Sequence, residues 1–435
     1  MKRNNKGKLV PNFTEKYVII GNSVAAISAI ESIRERDKIS LLTVVSKEPY
    51  FAYSRPLISY YLEGKVKPEK MYYRDKQFYQ ENNVELILGQ EVVKILPEEK
   101  NIILSNKKKI NYTKLLIACG GKPIVPQIKG VDKENVFTFT TWDEIKHLEN
   151  VIKKKKEVVV IGAGMIGLKA AESLTNAGLK VTIIELADRV LSTVLDKKSA
   201  SILHQHLKEN KVELITENTV EEITGKGMMV DGVILKNGKR VKTDIVVIAI
   251  GIIPNLDLVK SAGIKTNKGI LVNEFMQTNI ENIYAAGDVT ETWDFLYKQN
   301  RPIPIWPLAY EQGKIAGTNM AGEKISYHGG LSLNSIEVFN LPLITAGITT
   351  VEKDTYEILV KFQPERKMYK KIIIENGKII GSILINNIER AGIITGLIKD
   401  QLDVSNFKNE ILEDTFGYIY VPKEYRSKEI MPLEV

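Results

Sequence analysis

The chain has 435 residues, 44% of them hydrophobic and 26% charged, with 61 basic against 53 acidic side chains and a net charge of +8. At roughly 100–200 residues per domain that length predicts two to four domains, and no stretch approaches the ~20 apolar residues of a membrane span. The lysine excess is spread along the chain and favours acidic partners without forming a nucleic-acid surface. Cys119, the only cysteine, allows no intramolecular disulfide, and four scattered histidines offer no metal-site spacing.

Residues 1–16 are basic and polar and lack the apolar centre of a signal peptide, so a disordered lead-in and a cytoplasmic protein are expected. An apolar strand over residues 17–20 then runs into Gly21-Asn22-Ser23-Val24-Ala25-Ala26 and a helix to about residue 36. This G-x-S-x-x-A replaces two glycines of a dinucleotide fingerprint by the next smallest residues. The following strand, residues 39–45, ends in Ser46; Glu48, two residues on, is the nearest acid for a ribose hydroxyl.

A fuller version follows. Residues 158–161 are apolar throughout, as suits a strand buried on both faces. They end in Gly162-Ala163-Gly164-Met165-Ile166-Gly167, the G-x-G-x-x-G pattern. Gly162 suits the tight turn, Gly164 the approach of a pyrophosphate, and Gly167 close packing of the next helix. That helix turns the N–H groups of its first turn, near Met165 and Ile166, and its positive dipole end toward the phosphates. A second apolar run, residues 181–184, ends in Glu185, about 20 residues past the first glycine, where a ribose 2′-hydroxyl is met. A glycine-rich turn without a ligand is the competing reading; strand, glycines, helix, strand and acid together weigh against it. Glu185 favours NADH over NADPH, with Arg189 nearby as the counterweight.

The chain also repeats itself. VELILGQEVVKI from Val84 matches VELITENTVEEI from Val212, 128 residues further on, and each copy runs through a hairpin-like segment to Ala118-Cys119-Gly120 or Ala249-Ile250-Gly251. A duplicated nucleotide domain is expected, with two nucleotides held face to face. Further on, Ile283-Tyr284-Ala285-Ala286-Gly287-Asp288 delivers an aspartate directly after a glycine. A loop containing Trp306 follows, then a helix from near Leu308 that includes Gln312. From about residue 326, alternating strands (SIEVFN, YEILVKFQ, KMYKKIIIENGKIIGSILI) and a helix (GIITGLIKDQLDV) suggest a separate α+β domain.

Together these motifs resemble the pyridine nucleotide-disulfide oxidoreductase superfamily. Within it, Tyr53-Ser54-Arg55-Pro56-Leu57-Ile58-Ser59 is similar to rubredoxin and ferredoxin reductases and to the flavin part of NADH-dependent nitrite reductases. The disulfide-using and NADH oxidase or peroxidase branches carry a redox cysteine in this region; this chain has none. The resemblance implies an α/β fold of two Rossmann-like three-layer domains plus a C-terminal α+β interface domain that often supports a homodimer. Boundaries are expected at 17–124 and 245–325 for FAD, 125–244 for NAD and 326–435 for the interface domain.

By the same resemblance Gly21, Asn22, Ser23, Ala25 and Ala26 cradle the FAD pyrophosphate, and Asp288 binds the ribityl chain. Ser46, Glu48, Pro56, Val93, Ala118, Cys119, Gly120, Gly251 and Gln312 complete the cofactor contacts, with Cys119 standing where threonine is usual. Gly162, Gly164, Met165, Ile166, Gly167 and Glu185 hold NAD. Arg55 and Trp306 lie beside the flavin. Family members place a glutamate two residues after the last fingerprint glycine; here Lys169 stands there, either paired with Glu172 at i+3 or making a doubly basic flavin edge with Arg55. The implied activity is an FAD-dependent NADH oxidoreductase that passes electrons singly to an acidic iron–sulfur protein such as rubredoxin or a ferredoxin-like subunit, with no membrane or nucleic-acid partner. An NADH oxidase that reduces oxygen directly and a non-enzymatic NAD-binding flavoprotein module remain as alternatives.

Overall fold

The computed structural model describes residues 15–351 and 355–423, Arg426, and a strand pair, Lys2–Arg3 with Leu9–Val10. Most of the expected 1–16 lead-in lies outside the described residues. The chain forms two compact units: Met1–Ile124, Thr140–Trp142 and Ile252–Gly330 make the first, and Val125–Phe139, Asp143–Gly251 and Leu331–Val435 the second.

In the first unit five parallel strands run in the order Ile283–Ala285, Lys114–Ile117, Lys16–Ile20, Leu41–Val45, Val84–Ile87. Their apolar runs reflect burial on both faces. Ile19, Val44 and Leu116 pack on one side against the helices Val24–Arg36 and Trp306–Met320. Val18, Val45 and Ile117 pack on the other against a three-stranded antiparallel sheet carrying Ile95, Ile102 and Leu104. The two helices approach at backbone contact, because a Cβ on Gly313 would lie 2.2 Å from the Ala25 carbonyl oxygen and one on Gly317 2.6 Å from that of Ala29.

The second unit repeats the plan. Its parallel order is Val136–Thr138, Ile245–Ile248, Glu157–Ile161, Lys180–Ile184, Glu213–Ile215, and the antiparallel sheet Val220–Lys226, Met229–Leu235, Arg240–Lys242 covers one face through Ile223, Val233 and Leu235. Both antiparallel sheets carry a register shift near the start of the first strand, between Val92 and Lys94 and between Val220 and Glu222. The inferred duplication is therefore present in the topology and in its irregularity. The expected domain boundary at 245 needs correction: Ile245–Ile248 pairs in parallel with Glu157–Ile161, so it closes the second unit's sheet and the crossing comes after Gly251. Residues 326–330 also stay with the first unit, through Tyr327 N to Glu274 O and Gly330 N to Trp293 O.

The C-terminal part of the second unit is a five-stranded antiparallel sheet in the order Leu333–Val338, Leu341–Gly347, Lys378–Ile385, Met368–Glu375, Glu357–Gln363, with the helix Ala391–Lys399. Leu341–Gly347 was not expected as a strand, since Pro342 interrupts its apolar run. Proline is tolerated where the ladder does not need its N–H, and pairing with Lys378–Ile385 begins only at Leu343. Asp196 ties this sheet to the helix Lys197–Glu209. Its carboxylate caps the helix at Ser199 N (2.9 Å) and accepts from Tyr369 Oη (2.7 Å) and Lys371 Nζ (2.9 Å). Burial works against that charge, but these donors hold its pKa down to about 2.

Two glycine substitutions should separate packing from propensity. Gly313→Ala drives a methyl into the Ala25 carbonyl and should cost about 1–3 kcal/mol or more. Gly392→Ala, at a helical site with nothing within 4 Å of the new Cβ, should be neutral or stabilise by up to ~1 kcal/mol. Thermal unfolding of the two variants checks the contrast.

Candidate functional site

The second unit's glycine loop sits at the carboxyl end of its central strand. Gly162 has φ +104°, and a Cβ there would lie 2.5 Å from the Ala249 carbonyl oxygen; at Gly167 it would lie 2.0 Å from that of Gly162. At Gly164 a Cβ would meet nothing within 4 Å. The first and third glycines are thus demanded by the fold, while the second faces open space at the start of the helix Met165–Asn176. No side chain caps that helix at Gly164, which leaves its first-turn N–H groups for a phosphate. Glu185 is fixed at the loop's edge by Ala163 N (2.6 Å) and Ala187 N (2.8 Å). Arg189 is committed elsewhere, donating to Leu195 O, Ser192 O and the Asp188 carboxylate.

The first unit's loop is built on the same backbone bonds. Gly21 N donates to Val45 O as Gly162 N does to Ile184 O, both at 2.8 Å. Ser46 N to Ile87 O and Gln90 N to Ser46 O match Glu185 N to Ile215 O and Asn218 N to Glu185 O. Gly21 has φ +109°, and its absent Cβ would lie 2.1 Å from the Ala118 carbonyl oxygen. Ser23 caps the helix Val24–Arg36 without a side-chain hydrogen bond, so Ala25 and Ala26 lie in another uncapped first turn. Asn22 is held in place by Tyr79 Oη and Tyr50 O.

By this equivalence Ser46, not Glu48, takes the place of Glu185. Glu48 instead accepts from Tyr53 Oη (2.6 Å) and pairs with the Arg55 guanidinium, whose other nitrogen donates to Thr140 O (3.0 Å). The assignment of Glu48 to a ribose is therefore corrected in this geometry, because both its oxygens are engaged at Arg55 and Tyr53. Pro56 shapes the short 3-10 turn Arg55–Leu57.

Asp288 follows Gly287, which has φ +82°, and lines a cavity of about 610 Å³ with Lys122, Ile253, Pro254, Arg301 and Pro304. Burial pushes its carboxyl up, opposed by the charge of Arg55. Such a carboxyl is suited to bonding hydroxyls. Gln312 is buried and spends its side chain on Gly287 N (2.8 Å), Thr290 Oγ1 and Thr292 Oγ1. It positions the Gly287–Asp288 turn. Trp306 begins its helix two residues earlier than expected and stands edge-on to Tyr73 at 5.5 Å. Val93 is the residue skipped in the register shift, and such a bulge leaves backbone groups unpaired. Gly120 and Gly251 both have positive φ, +66° and +127°, at the matching strand ends after Ala118 and Ala249.

Two expected groups have other engagements. The half-buried Cys119 thiol is pushed up to about 12 by its surroundings and donates to Asn255 O at 3.6 Å, an environment that disfavours the thiolate. Lys169 pairs with Glu172, as the i+3 alternative has it, and donates to Glu337 O (3.1 Å); Glu172 also accepts from Phe339 N (2.8 Å). Its side chain is only 17% exposed, so it is a fixed link to the C-terminal sheet. Sequence reasoning missed Tyr53, Tyr79 and Thr140. Nothing in a linear sequence pairs Arg55 with a carbonyl 85 residues away, although the Glu48…Tyr53…Arg55 spacing was there to be read.

A family profile described as "Pyridine nucleotide-disulphide oxidoreductase" matches residues 15–313, and one described as "Rubredoxin NAD+ reductase C-terminal domain" matches residues 333–402. The epsilon subunit of the NADH-dependent phenylglyoxylate dehydrogenase of Aromatoleum evansii is 31% identical over 91% of this chain and 94% of its own length. A nitrite reductase [NAD(P)H] of Bacillus subtilis is 31% identical over 90% of this chain but 48% of its own length, so the chain spans about half of that relative. Among solved structures, a NAD-dependent persulfide reductase from A. fulgidus superposes with a TM-score of 0.85 at 28% identity, covering 94% of this chain and 80% of the other.

If Gly164 serves ligand approach alone, Gly164→Val should leave the melting temperature unchanged and weaken NADH binding tenfold or more, about 1.4 kcal/mol. Calorimetric titration reads both NADH and NADPH. With Glu185 presented and Arg189 committed, the wild type should bind NADH in preference, and equal affinities would remove the role given to Glu185.

Proposed function

Because the chain belongs to the pyridine nucleotide-disulphide oxidoreductase family, and is an oxidoreductase that uses FAD and a nicotinamide dinucleotide, we propose that it oxidises NADH and delivers electrons to an iron–sulfur protein of the rubredoxin or ferredoxin type. The observation that carries this reading is the single thiol. A disulfide or persulfide relay needs a reactive cysteine with a partner, and Cys119 is the only cysteine of the sequence and half-buried. Bound FAD supplies the exchange between two-electron and one-electron transfer. The match of residues 333–402 to the rubredoxin NAD+ reductase C-terminal description supports the acceptor class.

The chain's residues then divide as follows. Gly21, Ser23, Ala25 and Ala26 receive the FAD pyrophosphate on an uncapped helix start, Ser46 meets the adenosine ribose, and Asp288 bonds the ribityl hydroxyls. Arg55 places a positive charge beside the ring system, and Trp306 shields it from water at the start of its helix. Gly162, Gly164 and Gly167 seat the NADH pyrophosphate, and Glu185 accepts the ribose 2′-hydroxyl, which a 2′-phosphate would convert into charge repulsion. No side-chain acid, base or nucleophile is needed.

A homodimer through the C-terminal sheet completes the reading. Glu357–Gln363 is an edge strand that leaves Ile358, Val360 and Phe362 exposed at 43%, 39% and 37% in one row, an aggregation hazard unless covered. Val360→Glu should then shift the sedimentation coefficient to that of a monomer.

NADH consumption with rubredoxin and with oxygen as acceptor tests the activity. Rapid turnover with reduced-rubredoxin formation supports the proposal, turnover with oxygen alone makes the protein an oxidase, and negligible turnover leaves a binding module. Cys119→Thr should keep the rate within about twofold, since a change of ±0.5 kcal/mol is all that a substitution outside the chemistry brings; a dead variant would reinstate a thiol mechanism.

A further inference from the structure

The two cradles are superposable in their backbone bonds, and that equivalence isolates one residue. Glu48 O accepts from Gly89 N as Ala187 O accepts from Glu217 N, so Glu48 corresponds to Ala187 and Ser46 to Glu185. In the second unit this position carries a methyl group. In the first it carries a carboxylate that turns away from the ribose position toward Arg55, which it meets in an ion pair.

Arg55 is held on three sides. Glu48 takes one nitrogen, the Thr140 carbonyl takes another at 3.0 Å, and the guanidinium carbon lies 5.2 Å from the Tyr53 ring centroid. Tyr53 is fixed in turn: its hydroxyl donates to Glu48 at 2.6 Å and accepts from Trp142 N at 3.2 Å. Burial keeps this phenol protonated and therefore a donor. The charge of Arg55 also reaches Asp288. A cation gripped this firmly cannot reorient as charge accumulates nearby, and one paired with a carboxylate exerts only part of its field.

We propose that Glu48 is a positioning residue for Arg55 that both aims its guanidinium and screens its charge, and so holds down the reduction potential of the FAD bound in the first unit. Arg55 stabilises negative charge on the reduced cofactor; Glu48 limits that stabilisation, keeping the bound FAD reducing enough to pass electrons onward. The inference uses the bound FAD and not the identity of the acceptor, so it stands or falls apart from the rubredoxin reading.

The test is a redox titration of FAD-loaded protein against reference dyes, with FAD retention measured by dialysis. Glu48→Gln keeps the length and one acceptor oxygen but removes the charge. It should retain FAD at the wild-type level and shift the reduction equilibrium about tenfold toward the reduced form, which for a two-electron couple is about 30 mV upward. Glu48→Asp, which keeps the charge, should bring the potential back toward wild type. In an Arg55→Gln background the same Glu48→Gln change should have no effect on the potential, the non-additivity expected of residues acting as one unit. Loss of FAD at unchanged potential would make Glu48 a ribose ligand and overturn the proposal. So would an unchanged or lowered potential in Glu48→Gln, or an equal shift with and without Arg55.

Discussion

Both nucleotide cradles depend on one contact, the first glycine of each loop lying against the carbonyl of the neighbouring strand. With absent Cβ atoms 2.1 Å and 2.5 Å from the Ala118 and Ala249 oxygens, no side chain fits at either place. The left-handed backbone at Gly21 and Gly162 turns the chain sharply enough for a helix to start directly over the strand ends. Everything that binds a ligand is set by that turn: the uncapped first-turn N–H groups, the edge position of Ser46 or Glu185, and the strand ends at Ala118 and Ala249. The rest of each sheet serves to hold two backbone segments at that separation.

The duplicated plan makes the differences between the copies informative. In the second unit a long carboxylate at Glu185 is clamped by two backbone N–H groups. In the first unit the same place holds a small hydroxyl, and the carboxylate has moved two residues on to serve Arg55. One copy clamps its acid at the loop edge with backbone N–H groups, the other pairs its acid with a guanidinium. The half-buried Asp288 follows Gly287, whose N–H is held by Gln312.

Much of this was legible in the chain. The two strand–glycine–helix–strand units and the internal repeat follow from apolar run lengths and glycine spacing, because parallel strands buried on both faces leave an unbroken signal. Three things were not legible. Pro342 hid the strand Leu341–Gly347, since only the register reveals that its missing N–H is not needed there. The boundary at 245 was misplaced because a strand's sheet is decided by long-range pairing, not by its own residues. The sequence leaves the side-chain partners of Glu48, Gln312 and Lys169 open, and the structure engages them with Arg55 and Tyr53, with the Gly287 turn, and with Glu172. Spacing alone does not decide such choices even where the partner is only 3 to 25 positions away, because several polar neighbours compete for each side chain.

The nesting of the two sheets has a consequence for synthesis. The second unit's parallel sheet takes all five strands from one continuous stretch, Val136–Thr138 through Ile245–Ile248, whereas the first unit's sheet waits for its edge strand Ile283–Ala285 and for the helix Trp306–Met320. Domains generally fold as units as the chain emerges from the ribosome. The inner sheet can therefore close while four strands of the outer one still lack the second of the two helices that pack on Ile19, Val44 and Leu116. At a synthesis rate of roughly 5–20 residues per second, that apolar face stays covered by one helix only for several seconds after the inner sheet is complete. The nascent chain is most in need of protection over its first hundred residues, long after they have been made.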